Sequence, residues 1–171
     1  MRLDELITEI KYKDFLEKYN YDWYEISIYQ FLSEDFMEYY SDKLIWGYIS
    51  SSQKLSEEFI RKYQNKVNWL LISANPNIHL SEQFIDEFKT KINFNYLVMN
   101  KEVLESILEK YQDSLDWSIV FDNQKLSEQF IEKYKNKISY WGTIFRKQKL
   151  SKEFKEKYKN KLKCYERYLA N

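Results

Sequence analysis

His79 and Cys164 are the only histidine and the only cysteine among 171 residues, which narrows the chemistry open to this chain. An imidazole or thiolate metal cluster needs further nitrogen or sulfur ligands, and there are none. A phosphate-cradling loop needs several glycines close together, whereas Gly47 and Gly142 stand far apart. Adjacent carboxylates such as Glu57 and Glu58 suit general acid/base work, but they follow Ser56 at a helix start, where acids complement the positive end of the helix dipole. His79 lies in a lengthened connection, Ala74-Asn75-Pro76-Asn77-Ile78-His79, and reads as a solvated group in a tolerated insertion or as part of a functional loop. Cys164 takes a core aromatic position, which favours burial over reactivity. The sequence therefore assigns no catalytic, cofactor-binding or metal-binding residue and predicts a chain that is not an enzyme.

The chemistry that remains is binding, and tyrosine and lysine carry it. Six of the 16 tyrosines, Tyr12, Tyr21, Tyr24, Tyr29, Tyr39 and Tyr48, crowd the front of the chain outside the packing register set out below. Such rings bury area at little entropic cost and keep a usable hydroxyl, so Tyr21, Tyr24, Tyr29, Tyr39 and Tyr48 are candidates for binding a protein partner. Filling a thin core is the other reading of the same residues. Toward the other end, Lys135, Lys137, Lys147, Lys149, Lys159, Lys161 and Lys163 form an alternative, basic patch. These lysines could hold phosphates while Tyr140 or Trp141 stacks on bases. The scarcity of arginine argues against that use.

The 27 basic and 27 acidic residues cancel, but not locally: residues 1–50 carry −6, residues 51–123 carry −3 and residues 124–171 carry +9. In an elongated array this gradient would steer partners or drive head-to-tail self-association; drift among surface charges would leave it without a role.

These groups must be positioned by a repeat. Leu32, Leu55, Leu80, Val103, Leu126 and Leu150 begin successive copies of one pattern, and Lys11 begins a shorter, degenerate copy, with starts 21 to 25 residues apart. Phe15, Phe36, Phe59, Phe84, Ile107, Phe130 and Phe154 share the fifth position. Tyr19, Tyr40, Tyr63, Phe88, Tyr111, Tyr134 and Tyr158 share the ninth. All five tryptophans, Trp23, Trp46, Trp69, Trp117 and Trp141, fall at one later position, which Phe94 and Cys164 take in the other two copies.

Each copy reads as two short helices. Ser56 is an N-cap, Leu55 and Ile60 have the spacing of a hydrophobic staple, and Phe59, Ile60 and Tyr63 make one apolar stripe ending near Tyr63 or Gln64. Asn68, matched by Asp22, Asn93 and Asp116, caps a second helix whose Trp69 and Ile72 share a face. Three polar rows recur with the repeat: the glutamines Gln30, Gln53, Gln124 and Gln148, the lysines Lys43, Lys66, Lys91, Lys137 and Lys161, and acids such as Glu34, Glu57 and Glu105. The glutamines are expected to bond exposed backbone at helix ends. The lysines read as a solvated row or as a track for phosphates, and the parallel acidic row favours the former.

The predicted architecture is an all-α, right-handed α-solenoid of about seven short two-helix repeats of 21–25 residues with capping ends. It forms one domain over 1–171: an N-terminal cap helix over 1–10, six repeats over 11–149, and a C-terminal capping repeat over 150–171. Leu3, Leu6, Ile7 and Ile10 would cover the first core, while Lys155 and Arg167 turn the last copy polar, as expected of a complete array. No apolar run approaches a membrane span, and one cysteine cannot form an internal disulfide, so no membrane contact and a cytoplasmic location are expected.

The Leu-Ser-Glu-x-Phe-Ile, Lys-Val-x-Trp and Ile-Ser pattern of Leu55 to Ser73 resembles a short helical repeat found in uncharacterised proteins of bacteriophages and giant DNA viruses. That resemblance covers nearly the whole chain. It implies a virus-encoded chain acting in the host cell; joined to the tyrosine-rich surface, it favours an interaction module that binds and inhibits a host protein such as an antiviral defence component. Its signature residues are core and caps and imply nothing about an activity. Nucleic-acid binding through the basic lysines and structural self-assembly are the alternatives.

Overall fold

The computed structural model describes the backbone of residues 3–29 and 31–169 and the side chains of residues 10–28 and 31–162. The side chains of Tyr29, Lys163, Cys164 and Arg167, the cap residues Leu3, Leu6 and Ile7, and all of Gln30 lie outside the described residues. Among those described, every regular element is helical, and the chain divides into two compact units, Met1–Lys91 and Ile92–Asn171.

The first unit holds α1 (Leu3–Lys18), α2 (Trp23–Tyr29), α3 (Glu34–Tyr39), α4 (Trp46–Ser52), α5 (Glu57–Lys62), α6 (Trp69–Ala74) and α7 (Glu82–Glu87). The second holds α8 (Phe94–Asn100), α9 (Glu105–Lys110), α10 (Trp117–Asn123), α11 (Glu128–Lys133), α12 (Trp141–Lys147) and α13 (Lys152–Leu169). First and second helices alternate as the spacing predicts. In the first unit α2 packs on α4 and α4 on α6; in the second, α8 packs on α10, α10 on α12 and α12 on α13. Each unit is thus a stack of helical repeats, the all-α solenoid expected.

Helices of six or seven residues have no stability of their own in water, so each repeat must be held by its neighbours. Apolar burial contributes most: Phe59, Ile60 and Ile72 in one copy and Phe130, Ile131 and Ile144 in another are at most 5% exposed. Aromatic stacking follows the repeat. The ring at the tryptophan position of each copy lies on the ninth-position ring of the next, with centroids 5.1 Å apart for Trp23–Tyr40, 4.8 Å for Trp46–Tyr63 and 4.7 Å for Trp69–Phe88. In the second unit the distances are 4.4 Å for Phe94–Tyr111, 4.4 Å for Trp117–Tyr134 and 4.3 Å for Trp141–Tyr158. The recurrence of Trp and Tyr is therefore the recurrence of one contact between copies.

The polar rows hold the copies together at helix ends. Gln53 accepts from the Leu32 amide at 3.0 Å through Oε1 and donates to the Ser27 carbonyl at 3.5 Å. Gln124 bonds the Val103 amide at 2.8 Å and the Val98 and Lys101 carbonyls at 2.5 and 2.7 Å, and Gln148 repeats this with Leu126, Phe121 and Gln124. Each glutamine thereby satisfies carbonyls that the preceding copy's short helix leaves unpaired together with the amide that opens its own copy. The acids do more than complement a dipole. Glu34 accepts from the amide and hydroxyl of Ser56 at 2.6 and 3.0 Å, and Glu105 does the same for Ser127. The capping serines Ser56, Ser81, Ser127 and Ser151 are thus themselves held by the previous copy. The buried Ser50 hydroxyl donates to the Trp46 carbonyl at 2.7 Å and accepts from the Asn68 amide at 2.9 Å, which accounts for the Ile-Ser step.

Both ends differ from expectation in the same way. The cap helix and the first helix of the degenerate copy are one helix, α1, because Lys11 and Tyr12 stand where other copies have Leu-Ser and nothing interrupts the turn. The last copy is also one helix, α13. Its first helix runs on through Lys163, the register at which Asn68, Asn93 and Asp116 cap a second helix; α4 and α12 start after Ile45 and Tyr140 without a side-chain cap, so a missing cap alone does not account for the fusion.

Candidate interaction surfaces

In the first unit, the side formed by first helices is occupied by its own charges. Lys62 on α5 pairs with Glu38 on α3; Arg61 donates to Glu87 on α7 at 2.8 Å and lies 3.6 Å from Glu57; Lys66 reaches Asp42 at 2.5 Å. The hydrogen bond to Glu38 holds the Lys62 ammonium above the usual lysine range, and Glu87 does the same for Arg61. Lys43, Lys66 and Lys91, read from the sequence as a solvated row, also cover tryptophan rings, at 5.4, 5.7 and 5.2 Å from the centroids of Trp23, Trp46 and Trp69.

The side formed by second helices is different. α4 (Trp-Gly-Tyr-Ile-Ser-Ser-Ser) and α6 (Trp-Leu-Leu-Ile-Ser-Ala) contain no charged residue, and α2 contains only Glu25. Tyr24 and Leu70 share one register position, directly after the tryptophan, and are 46% and 43% exposed. The Tyr24 ring meets the half-buried Tyr48 edge-on at 5.2 Å. Of the five candidate tyrosines, then, Tyr24 and Tyr48 come together. Tyr39 rests edge-on against Tyr40 at the end of α3, and Tyr21 lines a cleft beside Trp23. Leu70 escaped the sequence reading because that reading sought tyrosines; the absence of charge from α4 and α6 was the available signal.

In the second unit the basic patch is partly spent. Lys135 and Lys157 bind Glu132 at 2.9 and 3.0 Å, Tyr158 also donates to Glu132, and Lys159 pairs with Glu156. These donors, Tyr158 foremost, draw the Glu132 carboxyl from 4.5 down to about 2. Lys137, Lys147, Lys149 and Lys161 are exposed with no ion pair among the described residues. Trp141 is only 9% exposed and stacks on Tyr158, so the expectation that it meets nucleic-acid bases is corrected: its face is spent on the repeat contact.

The lengthened connection is a structural splice. Asn75 is buried and donates to the Ser50 and Gln53 carbonyls at 2.9 Å each, taking the role glutamine has elsewhere, while Asn77 bonds the Ser52 carbonyl at 2.9 Å. His79 is exposed beside it. Among the described residues no three His, Cys, Asp or Glu side chains are placed to share a metal ion, and no helix is long and apolar enough to cross a membrane. Comparison with protein families, curated proteins and solved structures finds no match.

Proposed function

We propose that this chain is a non-enzymatic protein-interaction module whose binding surface is the second-helix side of the first unit, where Glu25 is the single charged residue on α2, α4 and α6, centred on Tyr24, Tyr48 and Leu70. One observation carries the reading: on the first-helix side Arg61, Lys62 and Lys66 are paired with Glu87, Glu38 and Asp42, whereas α4 and α6 offer ring edges and an aliphatic side chain with no charge to desolvate. Aromatic and aliphatic groups surrounded by neutral hydroxyls have the character of an interface centre. The non-enzymatic part rests on the single histidine and single cysteine. A viral setting and a host defence target rest on the resemblance of the repeat alone.

Lysate capture on the immobilised chain, after nuclease treatment, tests the proposal. Leu70→Glu and Tyr24→Ala are expected to abolish retention of a protein that the unchanged chain holds, while Lys147→Met with Lys149→Met leaves it intact. The four exposed lysines of the second unit support a competing reading, nucleic-acid binding. Nuclease-sensitive capture that falls steeply with salt and is lost with those lysines would replace the first reading with the second. A mass in solution that rises with concentration, with nothing captured, would replace both with self-assembly.

A further inference from the structure

Within the first unit the lysine between paired helices has a recurring environment, and one copy departs from it. Lys66 lies over Trp46 and its ammonium donates to the Asp42 carboxylate at 2.5 Å and the Ser41 carbonyl at 3.2 Å. Lys91 lies over Trp69 and donates to Gln64 Oε1 at 2.9 Å. Lys43 lies 5.4 Å from the Trp23 centroid, and among the described residues no oxygen accepts from it.

The turn before Trp23 explains the difference. Asp42 and Gln64 stand in the connections from Tyr40 to Trp46 and from Tyr63 to Trp69; the connection from Tyr19 to Trp23 is two residues shorter, its Asp22 carboxylate accepts from the Tyr24 and Glu25 amides, and neither Asp22 nor Asn20 accepts from Lys43. That shortening forces the backbone through the left-handed region at Asn20 (φ 48°) and Tyr21 (φ 53°). The Asn20 and Tyr21 amides donate to the Glu17 and Leu16 carbonyls at 3.0 and 2.9 Å, the paired bonds of a left-handed helix end. Asparagine suits such a position, but an aromatic residue there is strained by on the order of 1 kcal/mol.

Tyr21 becomes one wall of a cleft of about 340 Å³, with Leu16, Trp23 and Tyr40 as further walls and Lys13 and Lys43 supplying positive charge. Lys13 shares its charge with Glu17 at 3.7 Å. Among the described residues, Lys43 has only the tryptophan face.

We infer that this cleft binds a small organic acid with an aromatic or apolar body. The carboxylate accepts from Lys43 the hydrogen bond that Asp42 accepts from Lys66, and the body lies against Tyr21, Trp23 and Leu16. The cleft is distinct from the Tyr24–Leu70 surface, so either site can fail without the other.

Binding is read from the indole N–H signal of Trp23 in ¹⁵N-labelled full-length chain, titrated with phenylacetate and with the chain-end mimic N-acetylphenylalanine, each beside its uncharged amide. An acid is expected to bind about tenfold more tightly than its amide, the effect of one charge-assisted hydrogen bond. Whichever acid is tighter assigns the source, a free metabolite-like acid or a polypeptide end. Lys43→Met keeps the stem on Trp23 and is expected to remove the preference for acid over amide, whereas Lys66→Met, changed in the same way one copy later, leaves it unaltered. Equal binding of acid and amide, an unchanged preference in Lys43→Met, or inorganic phosphate binding as tightly as phenylacetate would overturn the inference.

Discussion

The copy that begins at Leu55 and the copy that begins at Val103 share their apolar positions and differ in their polar ones. In the first, Ser56 caps α5 through the Phe59 amide at 3.1 Å, Gln53 leads in as a buried amide, and the Trp69 indole donates to the Gln64 carbonyl at 3.0 Å. In the second, Leu104 stands at the cap, makes no side-chain bond and is 68% exposed. Lys101 takes the register of Gln53, and the buried Trp117 indole has no acceptor. The second copy nevertheless buries Ile107, Leu108, Val120 and Phe121 much as the first buries Phe59, Ile60 and Ile72. Apolar register decides that a repeat forms, and polar stitches decide how firmly its ends are held. This is the expected division when a buried aliphatic side chain contributes about 1.5–3 kcal/mol and a hydrogen bond about 1 kcal/mol.

The comparison breaks most decisively in the core. Ile60→Ala and Leu108→Ala remove side chains that are 0% and 1% exposed, and each is expected to cost about 2–5 kcal/mol in urea denaturation. If Leu108→Ala costs under about 1 kcal/mol while Ile60→Ala costs several, the divergent copy is not held by the same burial. Next in size are the glutamines. Gln124→Leu keeps the volume but strips partners from the Val98 and Lys101 carbonyls and the Val103 amide, for an expected loss of about 1–3 kcal/mol. Gln53→Leu should fall in the same range, and a neutral result at either would mean that water serves those groups as well.

Much of this division was legible before any coordinates. Ser56, Phe59, Asn68 and Trp69 each carry a one-dimensional signal, a cap or a periodic apolar position, so helix order and the buried stripe follow from spacing. The glutamine row was legible as helix-end bonding because the amide recurs with the scaffold. The second role of Glu34 and Glu105 was not, since binding the next copy's serine depends on how two copies meet in space. Lys43, Lys66 and Lys91 were read as solvated for the same reason: their tryptophan faces lie one copy earlier. The fusion of α1 and of α13 was not legible from missing caps, since α9, α4 and α12 start as separate helices after Leu104, Ile45 and Tyr140 with no side-chain cap. Of the candidate surface, the tyrosines were visible as composition, but composition does not say which rings share a face. Tyr24 and Tyr48 proved to be neighbours, and Leu70 stands at the register position of Tyr24 on α6, which packs on α4.

The cap distinguishes the copies by a smaller amount and in opposite directions. Leu104→Ser restores the capping residue to α9 and removes an exposed leucine, so it is expected to stabilise by about 1 kcal/mol. Ser56→Ala loses both the Phe59 cap and the bond to Glu34 and is expected to destabilise by about 1–2 kcal/mol. Denaturation midpoints of the two variants shifting the same way would mean that the cap is not what separates these copies.

The smallest effect at neutral pH is expected at Lys101, where the difference between the copies becomes a pH dependence. Burial pushes this ammonium from 10.5 down to about 8, because the folded state disfavours the charged form. The unfolded chain therefore binds more protons than the folded one between about pH 8 and pH 10.5, and stability rises with pH across that window as the penalty is relieved. Solvent reaches part of the side chain and screens the penalty, so the gain from Lys101→Met at pH 7 is expected to be modest. Its signature is the shape of the profile: Lys101→Met should be more stable than the unchanged chain below about pH 8 and converge with it by about pH 10.5. Other groups titrate in the same range, so the measurement is the difference between the two denaturation profiles, in which their contributions cancel. A difference that grows with pH, or one that stays flat, would show that Lys101 is not penalised by burial where the other copies carry an amide.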